Sequence, residues 1–193
     1  VKHYSTENCN DLYAFVMERS LQLLGKASHI GMIVPVSIVS TDGFDTLRSV
    51  FLDSSQVIWA SSYAERPSKL FTGVEKRLTI WIAKVGKAAE LVLSKYRRWL
   101  SDERDNLFHN LVYTVSTTPK RLVGTSIIKL SGPIEERILE RIGSNKSLSN
   151  YLLRDSKHIV YYTRKLRYFV QFFDFVPRIT NNSGQVIPPS ELK

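Results

Sequence analysis

The 193-residue chain predicts an α/β fold, on three observations. Helical and strand-like patterns alternate between residues 10 and 83. One strand-like run, Ile30-Gly31-Met32-Ile33-Val34, is apolar throughout, as expected of a strand in the middle of a parallel sheet with both faces covered. The last two strand-like runs are joined by a loop without helical periodicity. This predicts an antiparallel pair, and so a doubly wound sheet with one antiparallel edge strand. With 43% hydrophobic and 23% charged residues, wholesale disorder, collagen and coiled coil are excluded. No apolar run approaches the roughly 20 residues of a membrane span.

Taken in order, residues 10–25 read as a helix, with Asn10 as cap, Asp11 in the first turn and Gly25 just past the end. Leu12, Phe15, Val16, Leu23 and Leu24 supply its apolar face. Pro35 ends the strand that follows. Thr41 or Asp42 caps a second helix carrying Phe44, Leu47 and Phe51 at spacings of three and four. Gln56-Val57-Ile58-Trp59-Ala60 and Leu78-Thr79-Ile80-Trp81-Ile82-Ala83 are the two strands of the antiparallel pair. Lys84, Gly86, Lys87 and two alanines read as a linker or a helix start, and the apolar segment before Arg97 as helix-like. Ser101 caps a short helix over 101–110. Pro133 and Gly143 bracket a helix over Ile134–Ile142. Residues 158–175 are aromatic and β-rich, and Asn181–Pro189 is loop chemistry. The change of character divides the chain into 1–88, the sheet portion, and 89–193, a mixed α+β region.

The net charge of +9 is unevenly spread. Residues 1–90 hold 10 basic and 9 acidic side chains, and residues 91–193 hold 17 and 9. The second-half excess of +8 points either to a polyanion partner, most simply nucleic acid, or to a basic surface without one. The single cysteine, Cys9, excludes an internal disulfide and reads as a small residue near the helix start. The four scattered histidines lack zinc spacing. A reducing, cytoplasmic setting fits this usage. No Gly-x-Gly pair, phosphate loop or Gly-x-Ser-x-Gly elbow occurs. The chain opens at Val1, not Met, and closes at Ser190-Glu191-Leu192-Lys193, and it reads as a piece of something longer.

The most informative stretch runs from Arg66 to Ile80, where Leu70-Phe71 stands among cations in a loop between strands. Leu70 and Phe71 either fold back onto the core or hold an aromatic ring at the rim of the sheet, ringed by Arg66, Lys69 and Arg77. A ring so placed stacks on a nucleobase while the cations hold phosphates. Arg97 and Arg98, Lys120 and Arg121, and Arg164, Lys165 and Arg167 (interleaved with Tyr161, Tyr162, Tyr168 and Phe169) suit phosphate contact or are solvated cations. The aromatics of Tyr161–Phe175 also fit one face of a packed sheet.

Asp11-Leu12-Tyr13-Ala14-Phe15-Val16-Met17-Glu18-Arg19, then Ile30–Pro35 and Leu47-Arg48, resemble a segment of the adenine-specific DNA methyltransferases of restriction–modification systems, in the fused form that joins modification to target recognition. Residues 66–80 resemble that family's motif following the fifth strand. Tyr96-Arg97-Arg98-Trp99 with Glu103-Arg104, and Phe173-Asp174-Phe175-Val176-Pro177, are similar to downstream segments. The likeness is strongest over residues 11–85 and rests on order and spacing together. It implies the last strands of a Rossmann-like methyltransferase sheet over 1–88 and the start of a target-recognition region over 89–193. It further implies methyl transfer from S-adenosylmethionine to the exocyclic amino group of adenine in double-stranded DNA. The base is first flipped out of the duplex, at a cost of a few kcal/mol, and the position of the stacking aromatic falls on Phe71.

The family's Asn/Asp-Pro-Pro-aromatic loop and its glycine-containing cofactor motif are absent. The one Pro-Pro pair, Pro188-Pro189, has the wrong neighbours. No catalytic residue is therefore assigned, no cofactor is expected on these residues alone, and they are expected to be inactive by themselves. The rival expectation is a non-enzymatic nucleic-acid-binding or subunit-interaction module; a third is an α/β domain with no nucleic-acid role. A strand at 30–34 without its upstream neighbour would expose a sticky edge through which copies could dimerise.

Overall fold

The computed structural model describes residues 4–117, 122–123, 126–129, 132–153, 157–162, 172–180, 186–187 and 190–192. The chain divides into two compact units, residues 1–137 and 138–193.

The first unit is an α/β sheet. Its strands are His29–Pro35 (β1), Ser55–Tyr63 (β2), Leu78–Val85 (β3), Glu90–Ser94 (β4) and Tyr113–Thr117 (β5), in the spatial order β1-β3-β2-β4-β5. β2 and β3 form the expected antiparallel pair, from Tyr63↔Leu78 to Ser55↔Val85. β1 also pairs antiparallel with β3, Ile30 opposite Ala83 and Ile33 opposite Ile80. β2 and β4 are parallel, and β5 runs antiparallel to β4. Two strands therefore run against the other three: β3, inside the sheet between β1 and β2, and β5, at the edge beyond β4.

One face carries the core. Leu12–Leu23 (α1) and Asp45–Ser54 (α3) lay Ala14, Met17, Leu21, Leu47 and Phe51 against Ile30, Val34, Ile58, Ala60, Trp81, Ala83, Leu91 and Leu93. Each of these side chains larger than alanine contributes roughly 1.5–3 kcal/mol by leaving water. Phe51 meets Trp81 edge to face at 5.6 Å. The connection between β1 and α3 folds into Ser37–Ser40 (α2) and a 3₁₀ turn at Asp42–Phe44. Buried Arg48 locks it by donating to the carbonyls of Ile38 (3.0 Å) and Thr41 (2.9 Å).

Several expectations are corrected. β1 is an edge strand with one open face: Ile30 and Val34 are buried, whereas Gly31 and Ile33 are exposed, Ile33 by 48%. Alternation is present but invisible in the sequence, because the outward positions carry glycine and isoleucine. The cap of α1 is Asp11, whose carboxylate accepts from the Tyr13 amide; Asn10 instead ends the preceding 3₁₀ turn in a left-handed conformation (φ 51°). Leu12, Val16 and Leu23 lie on the solvent side of α1, and the inward face holds Glu18 in addition to the apolar residues named above. The helix over 101–110 is a 3₁₀ turn at Ser101–Asn106, with Leu100 in the cap position. The segment before Arg97 is a strand, β4, so the sheet extends beyond residue 88, and residues 86–89 cross the start of β2 to carry the chain from β3 to β4. That crossing requires glycine at 86: a Cβ there would stand 2.7 Å from Gln56 Cβ and 3.2 Å from its backbone nitrogen.

Leu122–Val123 (β6) and Ser126–Ile127 (β7) form a small hairpin, and Pro133–Gly143 (α4) is the helix bracketed by proline and glycine. The division between the compact units falls within α4. In the second unit Val160–Tyr162 (β8) pairs antiparallel with Phe172–Phe173 (β9) and with Ser190–Leu192 (β12), and Ile179–Thr180 (β10) with Val186–Ile187 (β11). The aromatic stretch thus does form strands in part, with Phe173 and Phe175 rings 5.4 Å apart. Part of the expected terminal loop, Val186–Ile187, is strand as well.

Candidate functional site

β1, β2 and β4 run in one direction, and the segments leaving their carboxyl ends converge with the loop that enters β3. In open α/β sheets this is the end at which ligands bind. The β2–β3 loop, residues 64–77, is the largest contributor, and it has a core of its own. Leu70 packs with Tyr63, Leu78, Trp99 and Leu107. Arg104 pins it from outside, donating to the carbonyls of Lys69 (3.3 Å) and Leu70 (3.0 Å) while its guanidinium lies over the Trp99 ring at 5.5 Å. Gly73, at φ 80°, provides the left-handed turn that a side chain would strain. The base of the loop is stitched by Ser62 Oγ and Thr79 Oγ1 at 2.9 Å.

The two readings of Leu70-Phe71 resolve residue by residue. Leu70 folds onto the core, 5% exposed, and Phe71 stays at the rim, 41% exposed.

The cations separate into two groups. Lys69 is held by Glu75 at 2.6 Å, a contact that keeps the Glu75 carboxyl below the usual carboxylate range. Arg97 is held by Glu103 at 3.3 Å, and its backbone bonds both Ser62 and Ala64. These two serve the loop and the strand ends. Arg66, Arg77 and Arg98 are exposed and line one open cleft of about 740 Å³ together with Val36, Ser40, Ala64, Glu65, Pro67, Tyr96 and Lys129. Four cations thus face a single lining carboxylate, and none of the four forms a salt bridge among the described residues. Lys129 is half-buried, and burial lowers its pKa. Such a cleft concentrates anions.

The candidate residues Lys120, Arg121, Arg164, Lys165 and Arg167 lie outside the described residues. Lys129 and Tyr96 were not legible as site residues. Lys129 is one cation in an apolar stretch, Ile127-Ile128-Lys129-Leu130, and only the fold carries it to Arg98. Tyr96 stands next to the Arg97-Arg98 pair, and that adjacency was the one available signal.

Among the described residues no group of three or more His, Cys, Asp or Glu is placed to hold a metal ion, and no helix is long and apolar enough to cross a membrane. No protein-family model matches the chain, and no curated protein matches it.

Proposed function

We propose that these residues are the closing part of the sheet of a DNA adenine methyltransferase together with the beginning of its DNA-contacting surface, working in a cytoplasmic setting. The observation that carries the reading is the placement of β1 beside β3, and of β3 beside β2, in one sheet, with the β2–β3 loop presenting Phe71 at its rim. The sequence resemblance puts the stacking aromatic in this loop. An exposed ring on a loop pinned by Arg104 and filled by Leu70 is preorganised to receive an extruded base, so that little ordering cost falls on the encounter.

The chain's own share of the reaction is base capture and DNA contact. S-adenosylmethionine does not suit the cationic cleft, because its sulfonium and ammonium groups would face Arg66, Arg77, Arg98 and Lys129. No step of methyl transfer is therefore assigned to these residues, and the Asn/Asp-Pro-Pro-aromatic loop comes from a segment or polypeptide other than this one.

The test compares a duplex carrying an unpaired, bulged adenine with its fully paired counterpart. The chain is expected to prefer the bulged duplex, and Phe71→Ala to lose about tenfold of that preference, the worth of one base–aromatic stack. Equal affinity for both duplexes, or a preference unmoved by Phe71→Ala, removes the stacking role.

A second reading, a non-enzymatic subunit-interaction module, is favoured by one observation. The face of the sheet opposite the helices exposes Ile33, Ile82, Tyr113 and Val115. Co-purification with a separate polypeptide that carries the missing catalytic loop is the result that would select it.

A further inference from the structure

We propose that the cleft at the carboxyl ends of β1, β2 and β4 is a binding site for an unpaired strand of nucleic acid. Arg66, Arg77, Arg98 and Lys129 take its phosphates and Tyr96 takes a base. The inference rests on the nucleic-acid part of the reading above, and on neither methyl transfer nor Phe71, which does not line the cleft.

Four features argue for a strand. The cations come from three separate segments: the β2–β3 loop, which supplies Arg66 and Arg77, the stretch after β4, which supplies Arg98, and the stretch after β7, which supplies Lys129. The volume of about 740 Å³ lies within the range of sites for nucleotide-sized ligands. Tyr96, Pro67 and Val36 add apolar surface for a base and a sugar beside the charges, the mixture that single-strand sites use. Lys129, finally, is half-buried. A flexible strand can enter the cleft and reach it, whereas the rounded backbone of a duplex meets only exposed cations such as Arg66 and Arg98. An arriving phosphate also relieves the cost of keeping Lys129 charged while partly desolvated.

The experiment measures binding of a fluorescently labelled oligothymidylate to the full 193-residue chain by anisotropy, as a function of salt, with a duplex of equal length alongside. Arg98→Gln with Lys129→Gln is expected to weaken single-strand binding about tenfold or more and to lower the salt slope by about 1 to 2, with a smaller effect on the duplex. Tyr96→Leu is expected to weaken it about tenfold with the slope unchanged, as lost stacking requires. Lys87→Gln, which removes an exposed charge outside the cleft, is expected to change neither. Should circular dichroism show the Arg98/Lys129 variant unfolded, Arg66→Gln with Arg77→Gln carries the same expectation, since both side chains are exposed. Unchanged single-strand binding in the folded variants overturns the proposal. So does displacement of the oligonucleotide by inorganic phosphate or thymidine monophosphate beyond that by chloride of equal ionic strength, which would make this a small-anion site. If the cleft variants lose strand binding while Phe71→Ala leaves the bulged-adenine preference intact, the methyltransferase reading falls and this site stands. The reverse pattern removes this site alone.

Discussion

Glu18 sits under the first turn of the chain, buried on the inward face of α1. Burial alone would push its carboxyl up. The Thr6 hydroxyl (2.7 Å) and the amides of Ser5 and Thr6 (3.0 Å each) outweigh burial and hold it below the usual carboxylate range. A carboxyl held low in the folded state adds stability that is fully present above its unfolded pKa and is lost as pH falls through the folded value. Glu18→Gln is expected to be less stable than the parent by about 2 kcal/mol at neutral pH, with the gap shrinking as pH falls below about 4. Urea denaturation at several pH values measures it, and a gap independent of pH would mean that the carboxylate charge is not what binds the first turn. Leu70 and Phe71 carry the other lesson at this scale. Two apolar neighbours enter opposite environments: Leu70 packs among Tyr63, Leu78, Trp99 and Leu107, while Phe71 opens the turn that contains Gly73 and stays exposed.

Among the elements, β1 departs furthest from its expected place. Its all-apolar run predicts a covered central strand. It is an edge strand that pairs, among the described residues, with β3 alone, and its outward face is open at Gly31 and Ile33. Such an edge offers unpaired backbone groups to another chain. Self-association of the purified chain at high micromolar concentration is therefore expected, together with its loss on Ile33→Lys, which sets a charge on the open face. Sedimentation equilibrium decides it, and a wild-type chain that stays monomeric removes the edge from consideration. The β2–β3 loop shows the converse: its antiparallel partners were legible from the missing helical periodicity between them. Its anchor, Arg104, was not, because nothing local marks a cation as the donor to carbonyls more than thirty residues away.

For the whole molecule, the charge asymmetry between the halves matters less than where the fold gathers charge. Arg66 and Arg77 come from the nearly neutral half and Arg98 and Lys129 from the basic half, yet they line one cleft. On the proposed reading the chain handles DNA without carrying the reaction. When it is incubated with adenine-containing DNA and a labelled methyl donor, no label should enter the DNA, and any transfer of label would contradict the division of labour set out above.

The sequence by itself determined the kinds and order of the main elements as far as β3, the antiparallel partnership of β2 and β3, and the cationic, aromatic character of the loop between them. Each of these follows from periodicity, turn chemistry and local composition. Only the tertiary structure decided that β3 lies inside the sheet, that β1 is its edge, and that Lys129 and Tyr96 join Arg66, Arg77 and Arg98. Strand order and cleft membership depend on pairings between distant residues, and those are selected by burial of the whole helix-covered face, which no local window contains.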